Sequence, residues 1–276
     1  MTDPWAEDFD PGKAERDLAA FKEAAAGEQP LMVQPPDTLV TLFRGVMVSG
    51  GWNQEAHVHE LTGADEEGIA RMLGGSTPTQ YLNAMLAYGV KSLGPHDLEK
   101  MGVQERMLHI EGLLVGEKEL LFLHVLRVTY GDTRTVGIRC PQCQAMNDVS
   151  FSLTEDIPVK GMDDPLRPTY DFETRQGERV EYRLVTGGDQ AEAARKTGIT
   201  AAEENTLLLS RVITTVNGKP LVDPVAFARN LGALDRRHLL EELVDKQPGP
   251  HFEEVKLPCA TCGAESLFTP TWADLL

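Results

Sequence analysis

Four cysteines are the residues of this chain whose type and spacing carry chemistry. They are its only cysteines and they fall in two C-x-x-C knuckles, Cys140-Pro141-Gln142-Cys143 and Cys259-Ala260-Thr261-Cys262, the second followed by Gly263. A C-x-x-C turn sets two thiolates on one side of a tight loop, which is half of a tetrahedral zinc shell. A second turn completes a four-cysteine set, closed to water and therefore structural rather than catalytic. Two local disulfides and a redox dithiol are the competing chemistries. Two matching knuckles with no cysteine left over, in a chain without secretory or thioredoxin-like features, favour one structural Zn²⁺ per chain on Cys140, Cys143, Cys259 and Cys262.

The distance between the knuckles shapes the rest of the reading. Some 115 residues separate Cys143 from Cys259, whereas a local zinc ribbon has its knuckles about 10–20 residues apart. A shared metal therefore joins two remote arms, which implies two halves. Leu61-Thr62-Gly63-Ala64-Asp65, followed by Ala70-Arg71, recurs as Val185-Thr186-Gly187-Gly188-Asp189, followed by Ala194-Arg195. Each matched position is offset by 124 residues, as are Gly94 and Gly218, while the cysteines are offset by 119. Self-similarity of this kind, with the same order of elements after it, points to a duplicated unit.

Those elements must position the knuckles. In the first half, residues 38–46 and 55–61 read as strands around a turn containing Ser49-Gly50-Gly51. Asp65 reads as a helix start, and Ser76-Thr77-Pro78 opens a second helix through Tyr81, Leu82, Met85, Leu86 and Val90. A long leucine-rich helical region runs from Asp97 or Val103 to about Val128. Gly131-Asp132 turns into a strand over 134–139, and the chain returns from the knuckle over 146–153. In the second half, 169–174 and 179–184 flank the hairpin turn Gln176-Gly177. Helices follow at about 189–196, 201–216, 224–230 and 235–245, and strands at 252–257 and 266–269 enclose the second knuckle. The expected fold is α+β: a duplicated helix-plus-antiparallel-strand unit joined by the metal, with halves at 38–160 and 161–276. Residues 1–37 stand apart. They are acidic, include Trp5, Phe9, Leu18 and Phe21, and read as a flexible tail or a set of partner anchors.

Composition narrows the function classes. With 26 basic and 43 acidic residues the formal charge is −17, a surface that repels phosphate backbones and anionic membranes and so argues against both as partners. No run approaches the length of a membrane span and no secretory signal opens the chain, so a cytoplasmic setting is expected. Catalytic motifs are missing: there is no G-x-S-x-G, phosphate-cradling loop or H-E-x-x-H. His57 and His59 alternate on a strand but lack a third ligand. The pairs Glu66-Glu67, Glu203-Glu204, Glu241-Glu242 and Glu253-Glu254 read as solvated faces. His109, His124 and His238 read as semi-buried helix residues, and Met101, Met107 and Met146 as core. No enzyme is expected; the alternatives are a zinc-ribbon protein associated with nucleic acid and an enzyme with an unrecognised site.

The segment 113–143, LLVGEKELLFLHVLRVTYGDTRTVGIRCPQC, resembles the baseplate hub assembly chaperone family of T-even-type phages. The terminal LPCATCGAESLFTPTWADLL, residues 257–276, is similar to the ends of related proteins in contractile phages and phage-derived injection particles. The resemblance covers about residues 38–276, and residues 1–27 have no counterpart in it. It implies a non-enzymatic assembly factor or structural component of a contractile tail baseplate hub, made in the cytoplasm and retained or not in the finished particle. Its partners would be baseplate or hub proteins. Only the four cysteines carry over as site residues.

Overall fold

The structure, a computed structural model, describes residues 38–72, 78–196, 198–253 and 255–275. The acidic segment 1–37, with Trp5, Phe9, Leu18 and Phe21, lies outside the described residues, as do Ser76 and Thr77. The chain opens with an antiparallel hairpin, β1 (Thr38–Val48) and β2 (Gly51–Val58), whose alternation of apolar and polar residues buries Val40, Leu42, Ala56 and Val58 on one face. Gly45, at φ +79°, sits in a bulge of β1, where a Cβ would lie 1.9 Å from the Asn53 carbonyl oxygen; only glycine admits that approach. Helices α1 (Gly63–Met72) and α2 (Pro78–Gly89) follow, then strands β3 (Val90–Leu93) and β4 (His96–Asp97). A single 3-10 turn (Leu98–Lys100) leads to α3 (Val103–Glu111), α4 (Val115–Tyr130) and the first knuckle hairpin, β5 (Thr133–Arg139) and β6 (Met146–Ser152).

After the short strand β7 (Val159–Lys160) the order recurs: β8 (Tyr170–Glu173), β9 (Arg179–Tyr182), α5 (Gly187–Ala194), α6 (Ala201–Val212), β10 (Ile213–Val216) and β11 (Lys219–Pro220). Then come α7 (Pro224–Asn230), α8 (Ala233–Lys246), β12 (Gly249–Pro250) and the second knuckle hairpin, β13 (Val255–Pro258) and β14 (Glu265–Phe268). The fold is a mixture of helices and antiparallel sheet. One four-stranded sheet runs β1-β2-β3-β4 and the other β8-β9-β10-β11, each in chain order. Local detail repeats as well. Asp65 accepts from the Thr62 N–H at 2.8 Å and its hydroxyl at 2.7 Å, and Asp189 accepts from the same two groups of Thr186, each at 3.0 Å. These are reciprocal helix caps. Gly94 (φ +53°) and Gly218 (φ +73°) turn the third strand of each sheet into the fourth.

Three helical expectations are corrected. The region from Asp97 to Val128 is not continuous: His96 and Asp97 are strand, and the helix breaks after Glu111. At the break Gly187 N–H donates to the Leu113 carbonyl at 2.9 Å and Val115 N–H to the Val185 carbonyl at 3.1 Å, so bonds to the second half take the place of helical ones. Residues 213–216 are strand rather than the end of a helix, because their backbone pairs with β9 on one side and β11 on the other. Val90 likewise begins β3 and is not part of the α2 stripe; the helix ends at Gly89, where a Cβ would meet Val125 at 2.7 Å.

Two apolar clusters result. The first joins β1–β3 and β6 with α1–α4, among them Met85, Leu86, Leu121, Phe122 and Leu126. The second, around Val180, Tyr182, Leu209, Val212 and Leu239, lies within β8–β10 and α6–α8. The chain end returns to the first cluster: Leu275 is buried there, and Trp272 meets Phe122 and Phe252 edge-on at centroid distances of 5.7 and 4.7 Å.

Candidate metal centre

Each knuckle is a hairpin end closed by the same two backbone bonds. Cys140 N–H donates to the Ala145 carbonyl at 2.9 Å and Gln144 N–H to the Cys140 carbonyl at 3.0 Å. In the second, Cys259 donates to Ala264 and Gly263 to Cys259, both at 2.9 Å. The turn requires a left-handed residue, supplied by Gln144 (φ +61°) in one and Gly263 (φ +72°) in the other. Cys140 and Cys259 are buried, while Cys143 and Cys262 face solvent.

The hairpins meet so that each buried thiol faces the exposed thiol opposite. The Sγ atoms of Cys140 and Cys262 are 3.8 Å apart, those of Cys143 and Cys259 are 3.6 Å apart, and the four ligand atoms all lie within 4.8 Å of one another. Disulfide sulfurs stand about 2.05 Å apart, well short of these distances across the two knuckles. A tetrahedral ion with arms of about 2.3 Å separates its sulfurs by about 3.8 Å. The observed spacing fits that shell, and the donor set suits a thiophilic ion. One polar clasp locks the hairpins together: the Asn147 side-chain oxygen accepts from Ala260 N–H at 2.9 Å. Nothing in the spacing of the cysteines marks Asn147 in advance.

The electrostatics of the cluster favour a cation. N–H groups of Cys262 and Thr261 aimed at the Cys259 sulfur hold its thiol down at about 6. Cys143 moves the other way: the Ala145 N–H favours its thiolate, but the neighbouring thiols outweigh it and push the group up to about 12. Four sulfurs this close do not share four negative charges unless a positive ion stands among them.

The remaining candidates stay apart from the cluster. His57 and His59 are half-buried, and the His59 Nε2 pairs with the Tyr88 carbonyl at 2.9 Å. His109 stacks on His96 at 4.5 Å, and His124 lies 3.1 Å from an Arg127 guanidinium nitrogen. His238 is exposed rather than semi-buried, because it occupies the outer face of α8. Met101 and Met107 pack against the first core, but Met146 is 58% exposed at the start of β6, a correction to its expected burial. Glu66, Glu67, Glu203, Glu204, Glu241 and Glu253 are exposed, Glu254 lies outside the described residues, and Glu242 accepts from the Tyr182 hydroxyl at 2.9 Å. Among the described residues no helix is long and apolar enough to cross a membrane.

Buried charge lies on α4 and α5, on Glu117, which sequence did not single out, and on Asp189, which it marked only as a repeated helix start. Glu117 accepts from Arg44, Gly45 and Leu114 backbone N–H groups at 2.6, 2.7 and 3.0 Å. Asp189 accepts from Arg183 at 2.6 and 2.9 Å and from Arg211 at 2.9 Å. The Thr186-x-x-Asp189 spacing was the available signal for Asp189, and no cap residue marks Glu117.

Residues 100–271 match the family described as T4 bacteriophage base plate protein, a span that takes in all four cysteines. No curated protein and no solved structure matches the chain.

Proposed function

The chain belongs to the T4 bacteriophage base plate protein family, and on that premise we propose that it is a non-enzymatic, zinc-stapled assembly factor or structural component of a contractile tail baseplate hub. The observation that carries the reading is the four-cysteine cluster inside the family span, which ties two remote hairpins rather than opening a site to substrate. Cys140, Cys143, Cys259 and Cys262 hold one Zn²⁺ per chain, and the two units at 38–160 and 161–276 descend from a duplication. The shared strand order, the Thr62/Asp65 and Thr186/Asp189 caps and the matching knuckles support that descent. The partners are baseplate or hub proteins met in the cytoplasm, and the charge of −17 speaks against nucleic acid and anionic membranes. Deleting the gene should leave sheath and tube proteins in the cell but few complete contractile particles; an undiminished particle yield overturns the reading. Mass spectrometry of purified particles then separates a chaperone, absent from them, from a component present in fixed ratio.

A further inference from the structure

The first knuckle hairpin offers something the other sheet edges do not. Strands β5 and β6 form a two-stranded sheet, paired without a bulge over seven residue pairs from Thr133↔Ser152 to Arg139↔Met146. The direction of its free groups follows from the bonds at its ends. Cys140 N–H reaches the Ala145 carbonyl and Leu153 N–H reaches the Asp132 carbonyl, so odd-numbered residues of the returning strand bond inward. Even-numbered ones point away, as the Ser152 N–H shows by donating to Asp156 Oδ2 at 2.7 Å. Met146, Asp148 and Ser150 therefore aim their N–H and C=O groups outward at about 6.7 Å intervals, the spacing of an unpaired edge.

Three other edges are blunted, and β5, the far edge of the same hairpin, carries Arg134 and Arg139, which oppose a basic strand. Strand β1 is bulged and has Arg44 and Gly45 N–H capped by Glu117, while β11 and β13 carry Pro220 and Pro258. The edge at 146–150 has no proline, lysine or bulge. Beside it runs a trough of about 390 Å³ lined by Ile138, Met146, Asp148, Val149, Cys259 and Ala260. The trough is apolar along its side, its one charged side chain is the exposed Asp148, and four thiolates around a divalent ion would add two negative charges at its end.

We propose that the outward edge of β6 receives an extended, basic segment of another base plate protein as an added strand, its apolar side chains on Met146 and Val149 and a lysine or arginine on Asp148. The inference rests on the base plate reading above. Main-chain bonds to an exposed edge supply affinity in such pairing and side-chain pockets supply selectivity. The long seven-residue β6 suits this better than the four-residue β14 of the second knuckle.

Asp148→Pro tests it, because the Asp148 N–H bonds to nothing inside the hairpin, and proline is tolerated on the free side of an edge strand. The chain is tagged and recovered from cells producing particles, with partners quantified by mass spectrometry and metal content checked. Wild type should bring down base plate proteins, while Asp148→Pro keeps its metal and loses them by about tenfold or more. Asp148→Lys, which leaves the backbone able to pair, should also weaken recovery by opposing a basic strand, and it decides the matter if the proline variant fails to fold. Full recovery with both folded variants overturns strand addition and leaves the base plate reading standing. Failure of wild type to recover any base plate protein removes both. A purified wild-type dimer that Asp148→Pro dissolves overturns the choice of partner, making a second copy the occupant.

Discussion

At the scale of single residues the chain separates its charges by what surrounds them. Asp189 is buried, and burial alone would raise its pKa; the Arg183 side chain, the Thr186 N–H and Arg211 outweigh it and hold the group at about 2. A depressed carboxylate contributes stability above its unfolded pKa and loses it as pH falls through the folded one. That contribution should therefore vanish between about pH 4 and pH 2. Asp189→Asn should cost about 2–4 kcal/mol at neutral pH, measured by urea unfolding, and flatten the stability curve in that window. Its counterpart Asp65 keeps the threonine cap without an arginine clasp, so Asp65→Asn should cost about 1 kcal/mol or less. The cysteines are tested by metal analysis and X-ray absorption on reduced, natively purified protein. One zinc per chain with four sulfurs at about 2.3 Å is expected, and Cys259→Ser should lower occupancy sharply.

Among elements, the junction of α4 with β12 is where backbone packs on backbone. A Cβ on Gly116 would lie 1.6 Å from the Pro248 carbonyl oxygen, and one on Gly249 would lie 2.6 Å from the Gly116 Cα. Gly116→Ala forces helix and strand apart and should cost more than about 2 kcal/mol, although alanine is the better helix former by about 1 kcal/mol. Gly102→Ala, with nothing within 4 Å, is the control and should cost only a few tenths to about 1 kcal/mol as a lost helix cap, read as a shift in the urea midpoint. Legibility in the sequence ended at such places. Helix α7 and the β8-β9 hairpin were readable because proline, Asp223 and Gln176-Gly177 mark their ends locally. The short strands β3 and β10 were not. Each follows directly on a helix, and only pairing with β2 or β9 turns its apolar residues into sheet. The break before α4 was hidden for the same reason, since its backbone bonds go to Val185 and Gly187. The cysteine cluster was legible because ligand chemistry writes itself into residue type and spacing, whereas Asn147 was silent.

For the whole molecule the knuckles close a loop longer than a hundred residues. Such a closure removes about 4–5 kcal/mol of chain entropy from the unfolded state, so its effect reaches beyond the hairpins. Stripping the metal with a chelator under reducing conditions should lower the melting temperature by about 10 °C or more, and calorimetry should show both apolar clusters affected. A loss confined to the hairpins would contradict this. The same closure bears on mechanics. Among the described residues the path begins at β1 and ends at Trp272 and Leu275, both ends seated on the first core. With an ion between the knuckles, tension applied to the two ends crosses from Cys143 to Cys259 through metal–sulfur bonds. The intervening stretch, with the entire β8-β9-β10-β11 sheet, lies off that direct path and stays fastened to α4 by the Leu113–Gly187 and Val115–Val185 backbone bonds. Under such tension the β8-β9-β10-β11 sheet would keep its shape and its surfaces while the strands and helices before Cys143 carry the pull.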